Sequence, residues 1–155
     1  MRKVQWLLCV VCVPILVAAG CGGGGNSGGG TPTQSVQVTL TVPPGAAPQG
    51  VNPTATAKTA ADPGYEKLQG RAVVAAVQCD PPGTVFTQPV TLTFKLVTAL
   101  DAGDVVELFW CDAQNNWNTL AGAQETISAD RLTVTVSNIS QFTDNGRYAL
   151  LKVVP

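Results

Sequence analysis

The sequence predicts an all-β fold: an antiparallel β-sandwich forming a single domain behind an export segment and a glycine-rich tether. Three observations predict it. Apolar residues beyond position 35 recur at every second position, the period of a strand with one wet face, and not at helical spacing. Proline and glycine, 11 and 16 of the 155 residues, punctuate these runs. No stretch long enough for a stable helix carries an amphipathic pattern. Alternating strands of this kind close around one core as a sandwich or barrel.

The first element is not part of that fold. Arg2 and Lys3 precede an apolar stretch from Val4 to Ala19 that ends in small residues, the order of an export signal. Its sixteen residues, interrupted by Gln5 and Pro14, fall short of the roughly 20 that span a bilayer, and no charged stop follows. Val17-Ala18-Ala19-Gly20-Cys21 resembles a bacterial lipobox, with Ala18 where leucine is commoner. The resemblance implies that residues 1–20 are a lipoprotein signal peptide and that Cys21 receives a diacylglycerol and becomes the first mature residue. The expected partner of the mature N-terminus is therefore a membrane, reached through lipid on Cys21. Each buried methylene contributes about 0.8 kcal/mol, so two or three acyl chains hold such a protein firmly. Gly22 stands where inner-membrane lipoproteins of enterobacteria carry Asp, which directs the expectation to the outer membrane of the cell envelope.

Residues 21–35 join this cysteine to the domain. Seven glycines, with Asn26, Ser27, Thr31 and Pro32, offer nothing to bury, and the fourteen residues after Cys21 give a root-mean-square span of roughly 20 Å. Of the five cysteines, Cys9 and Cys12 form a C-x-x-C inside the signal. Cys79 and Cys111 remain for the folded part, and an exported protein meets an oxidising compartment in which such a pair tends to close. A disulfide across 32 residues would contribute roughly 3–4 kcal/mol on the loop-entropy model. The alternative is two buried free thiols.

The domain expected over 36–155 opens with Val36, Val38, Leu40 and Val42 alternating with polar residues until Pro43-Pro44-Gly45 stops the run. Strands follow at 70–79, 90–96, 105–111, 117–120, 132–136 and 147–153, with turns at Gln114-Asn115-Asn116 and Asp144-Asn145-Gly146. Pro82-Gly83 turns the chain between two strands, and Pro89, lacking an N–H, suits a strand's first residue. Phe86 is expected to fold inward beside Phe94, and Trp110 and Trp117 to fill the core or one of its ends. Tyr65, in the Asp62-Pro63-Gly64 loop, is the aromatic expected to be exposed.

An ordered set of these residues resembles the ZU-five domain of zonula occludens scaffolds, netrin receptors and ankyrins. The set is Pro43-Pro44-Gly45-Ala46, then Cys79, Pro82-Gly83, Phe86 and Pro89-Val90, then Trp110, Trp117, Leu120 and the segment VTVSNISQF at 134–142. The resemblance implies a β-sandwich serving as an interaction and scaffold module, with a protein partner it does not identify. Some relatives cleave their own backbone at a His-Phe-Ser; the matching positions here are Asn138-Ile139-Ser140. A serine remains, but the chain has no histidine to take its proton.

The same absence excludes a Ser-His-Asp triad and histidine-bearing zinc sites. Asp101 and Asp104 could offer oxygens to Ca²⁺, yet two carboxylates are too few for its shell, and a solvated turn is the simpler reading. Asn138-Ile139-Ser140 also fits a glycosylation sequon and, in this setting, reads as strand and turn sequence. Without Arg2 and Lys3, the nine basic residues fall to seven against ten acidic ones, with no run of either sign, which argues against nucleic acid. No catalytic residue, metal or cofactor is expected. The sequence thus favours a non-catalytic envelope lipoprotein that contacts another protein, with 43–69 as the loop where a partner would bind. A self-cleaving domain and a small-ligand or carbohydrate binder are the competing readings, the latter requiring aromatic platforms that only eight aromatics beyond the signal can supply.

Overall fold

A computed structural model describes residues 36–153. The expected signal peptide, Cys9, Cys12, Cys21 and the linker lie outside the described residues. Nine strands occur in the order β1 (Gln37–Thr41), β2 (Thr54–Lys58), β3 (Val73–Asp80), β4 (Val85–Lys95), β5 (Val105–Cys111), β6 (Trp117–Thr119), β7 (Gln124–Ile127), β8 (Thr133–Gln141) and β9 (Arg147–Val153). The one helical element among them is a 3₁₀ turn at Glu66–Leu68. One sheet has the order β1-β4-β8-β7 and the other β2-β3-β9-β5-β6, with every pairing antiparallel. Two antiparallel sheets packed face to face form the expected sandwich.

The core follows from the alternation. Leu92 and Phe94 of β4 and Val134 and Val136 of β8 meet Val77, Leu108, Tyr148 and Leu150 of the opposing sheet, all fully buried. β1 contributes Val38 and Leu40 at the margin of this layer, since it is an edge strand. The strands at 105–111 and 147–153 have the predicted bounds. That predicted for 70–79 starts later, at Val73, and that predicted for 90–96 starts earlier, at Val85.

Two strands have no counterpart in the sequence reading. β2 has the sequence TATAK, whose period-two contrast is between threonine and alanine and therefore almost invisible. β7, QETI, is a four-residue edge strand with a polar outer face. Pro89 does not open a strand as expected but lies within β4. The register there passes from Val85↔Gln141 to Val90↔Ile139, so the chain from 86 to 89 bulges out of the ladder and no pairing N–H is demanded of the proline. Phe86 is buried, and its ring meets Phe142 edge-on at 4.9 Å.

The outer face of the five-stranded sheet carries a second core. Residues 59–72 cross it and bury Tyr65 and Leu68 against Ala76, Cys111, Trp117, Ala149 and Leu151. This explains why β3 and β9 read as nearly continuous apolar runs: both of their faces are covered.

Candidate functional site

The residues singled out within 36–153 each have a definite place in this sandwich. Cys79 and Cys111 are free and buried, which corrects the expected disulfide. The reason is strand register. Gln78 pairs with Arg147 and Trp110 with Tyr148, so Cys111 lies in the row of Gln78, one row away from Cys79 and on the opposite face of the sheet. Cys79 accordingly belongs to the inner core and Cys111 to the outer one. With β9 between their strands, the two backbones are about 10 Å apart, beyond the span of a disulfide. Burial pushes the Cys79 thiol up to about 12 and also raises that of Cys111, so neither offers a thiolate nucleophile near neutral pH.

Tyr65 is the second correction: it is 1% exposed, not an outlying aromatic. Its hydroxyl donates to the Val77 carbonyl at 2.8 Å, and its ring lies 5.6 Å from that of Trp117. Arg147 donates to the Gly64 carbonyl at 2.7 Å and Lys67 to the Gln114 carbonyl at 3.3 Å, tying residues 64–67 to β9 and to the turn between β5 and β6. The segment 43–69 is thus not one free loop. Its centre is β2, its last part packs in the outer core, and 42–53 remains as the turn-rich connection.

Asn138-Ile139-Ser140 lies on β8 at a bulge. Val90 pairs with Ile139 but Leu92 with Val136, so residues 137 and 138 together oppose Thr91. Asn138 takes φ 67°, a left-handed conformation that asparagine tolerates better than most, and its side-chain amide donates to the Gly122 carbonyl at 2.6 Å. Ile139 is buried and Ser140 exposed. The bulge shifts the alternation of β8, so that the inward positions pass from Val134 and Val136 to Ile139. A histidine base for Ser140 does not exist in this chain.

A cleft lies at the end of the sandwich where β1 begins. It has a volume of about 440 Å³ and is lined by residues 70–74, 98–101 and Lys152. Lys152 makes an ion pair with Asp104 and approaches Asp101 at 3.7 Å. Arg131 donates to the Leu100 carbonyl at 2.9 Å and to the Asp104 carbonyl at 3.1 Å. The Asp104 carboxylate also accepts the Asp101 N–H at 2.8 Å. The hydrogen bond from Lys152 holds the Asp104 carboxyl below the usual carboxylate range. This pair, considered above for calcium, is therefore a turn locked by a lysine ammonium, and no group of three or more metal-ligating side chains occurs among the described residues. The cleft carries cations and carboxylates in balance and no perturbed acid–base pair suited to proton transfer. Sequence reasoning missed Lys152 and Arg131 because their partners are 27 or more residues distant.

The opposite end is made of four turns, at 42–53, 81–84, 112–116 and 142–146. In the first, the Ala46 N–H donates to the Pro43 carbonyl at 3.0 Å, and the buried Ala46 offers its own carbonyl to Thr87 N–H at 2.9 Å. Gly83, at φ 72°, turns β3 into β4. Asp112 accepts the N–H groups of Gln114 and Asn116 at 2.9 and 2.7 Å, which holds its carboxyl below its ordinary value. Tyr148 closes the last turn: its hydroxyl accepts Thr143 N–H at 2.8 Å and donates to the Gln141 carbonyl at 3.3 Å.

No curated protein sequence matches the chain. Residues 24–109 match the family model of the ZU5 domain, more than half of the sequence, and the match ends within β5. The remaining strands complete the same two sheets, β9 between β3 and β5 and β8 between β4 and β7. The ordered residues that carried the resemblance occupy turns and core of this sandwich, and the chain belongs to the ZU5 domain family, whose domains act as protein-interaction modules.

Proposed function

We propose that this protein is a lipoprotein of the cell envelope, anchored through lipid on Cys21, that presents its ZU5 sandwich as a non-catalytic surface for another protein. The observation that carries the reading is the order of parts in the sequence: an export-type segment ending Val17-Ala18-Ala19-Gly20, then Cys21, then a glycine tract, then the domain. A cysteine placed between a signal and a tether has no core to join, and acylation gives it a purpose. The non-catalytic half of the reading is supported by the absence of histidine, by thiols whose burial suppresses ionisation, and by carboxylates committed to turns and to Lys152. Gly22 supports the outer membrane as the destination.

Each part of this reading has its own test. Cys21→Ser should move the protein from the membrane fraction to the soluble fraction, and undiminished membrane association would refute the anchor. Crosslinking on intact cells should capture a discrete protein partner that is lost when the domain is unfolded by a core substitution such as Phe94→Asp. Turnover of a substrate, or backbone cleavage beside Ile139 on a denaturing gel, would refute the non-catalytic part.

A further inference from the structure

We infer that Asn145-Gly146 is a latent modification site: the native turn holds it unreactive, and opening of that turn lets the asparagine deamidate to a carboxylate that the turn no longer accepts. An asparagine followed by glycine is the pair most prone to this change, because glycine leaves the attacking backbone nitrogen unhindered. Asn145-Gly146 is the only such pair in the chain.

The fold tolerates no substitute for either residue. At Gly146 the place of a Cβ is taken by the carbonyl oxygen of Cys79. At Asn145 the turn needs an amide and not a carboxylate, since Nδ2 donates to the Asp112 carbonyl at 3.1 Å while Oδ1 accepts the Arg147 N–H at 3.0 Å. The Asn145 carbonyl accepts Gln78 Nε2 at 2.9 Å, and that of Gly146 accepts the Cys79 N–H at 2.7 Å. The pair thus joins β9 to β3 and to the turn between β5 and β6.

The same bonds block the reaction. Ring closure requires Asn145 Cγ to swing toward the Gly146 nitrogen, and requires that nitrogen to lose its proton. The side chain is held at both of its polar atoms, and the Gly146 N–H donates to the Thr143 carbonyl at 2.9 Å. Gly146 is also buried, which keeps hydroxide from it. Once the turn opens, hydroxide takes the proton and the Gly146 nitrogen bonds to Cγ. The Cγ–Nδ2 bond breaks, and the amide nitrogen leaves as ammonia with a proton from water, which regenerates hydroxide. Water then opens the cyclic imide, at Cγ to give aspartate or at the main-chain carbonyl to give isoaspartate. Aspartate sets an acceptor oxygen against the Asp112 carbonyl where a donor stood, and isoaspartate lengthens the main chain by a methylene between the bonds to Gln78 and Cys79. Either product opposes closure, so a transient opening becomes permanent.

The test incubates the full mature chain at pH 8, native and in urea, and follows the tryptic peptide 132–147 by mass spectrometry. Deamidation at Asn145 should be roughly tenfold or more slower in the native protein, because only its opened population reacts. Asn138, followed by isoleucine in the same peptide, should stay unchanged in both. Equal rates at Asn145 would overturn the protection. Tyr148→Phe removes the hydroxyl that accepts the Thr143 N–H, so it should raise the native rate several-fold and leave the rate in urea unaltered. A native rate that does not rise would overturn the role of the turn. Asn145→Asp should melt several degrees below the parent chain, and an equal melting temperature would overturn the irreversible step.

Discussion

Gly146 carries more of the fold than its size suggests. It sits at φ 65° in the turn before β9, and a Cβ there would collide with the carbonyl oxygen of Cys79, a backbone atom with nowhere to move. Its own carbonyl accepts the Cys79 N–H at 2.7 Å, so the turn and β3 are locked together. Gly146→Ala should therefore lower unfolding stability by about 3 kcal/mol or more in chemical denaturation, combining left-handed strain with displacement of β3. At the neighbouring residue, the Cys79 thiol is buried and raised to about 12. Treatment of unreduced protein with a thiol reagent should leave Cys79 and Cys111 unmodified in the native state at pH 8. After denaturation without reductant, intact mass should show both alkylated. Resistance to alkylation until a reductant is added would restore the bridge.

Among the elements, β8 offers the sharpest test, because its bulge depends on one side chain that both accepts φ 67° and reaches the Gly122 carbonyl. Asn138→Gly keeps the conformation and loses the bond, whereas Asn138→Val forces a β-branched residue into left-handed space. The valine variant should be less stable than the glycine variant by about 1–2 kcal/mol in the same denaturant titration. Equal stabilities would mean that the bulge is held by its neighbours alone. Element by element, the strands legible in the sequence were those whose inward positions hold large apolar residues against threonine or lysine, such as Leu92 and Phe94 in β4 or Val134 and Val136 in β8. β2 and β7 escaped because an edge strand shielded on one side needs only alanine or a lone isoleucine. The burial of Tyr65 is hidden from its local sequence for a related reason. A residue beside Pro63-Gly64 belongs to a loop by local sequence, and only the folded sheet reveals an outer apolar face for that loop to cover. The cysteine pairing failed on parity: spacing along the chain is silent about which face of a sheet each thiol joins.

For the whole molecule, the titrating groups divide into two sets that define a stability plateau. Asp62, Glu66, Asp104, Asp112 and Asp130 are each held below their ordinary values, first by hydrogen bonds from Thr59 N–H, Gly64 N–H, Lys152, Asn116 N–H and the Ser128 hydroxyl respectively. Their contribution is complete above the unfolded values, 3.8 for Asp and 4.5 for Glu, and is lost as pH falls through the lower folded values. Burial raises Tyr148 and Cys79 to about 12 from 10.0 and 9.0, so their contribution is complete below those unfolded values and fades as pH rises toward 12. Thermal unfolding should consequently be flat from about pH 5 to about pH 9 and fall on both sides. Asp104→Asn should soften the acid limb without changing the alkaline one. No such logic could be extracted from the sequence, since the partners of Asp104 and Tyr148 are set by the turns that bring them together.

The central claim is that a ZU5 sandwich is moored by acyl chains at position 21, and the mass of the mature protein tests it most directly. Protein extracted from membranes should begin at Cys21 and carry the added mass of a diacylglycerol, with or without a third acyl chain, on that residue. A mature chain with an unmodified Cys21, or one still retaining residues 1–20, would contradict it.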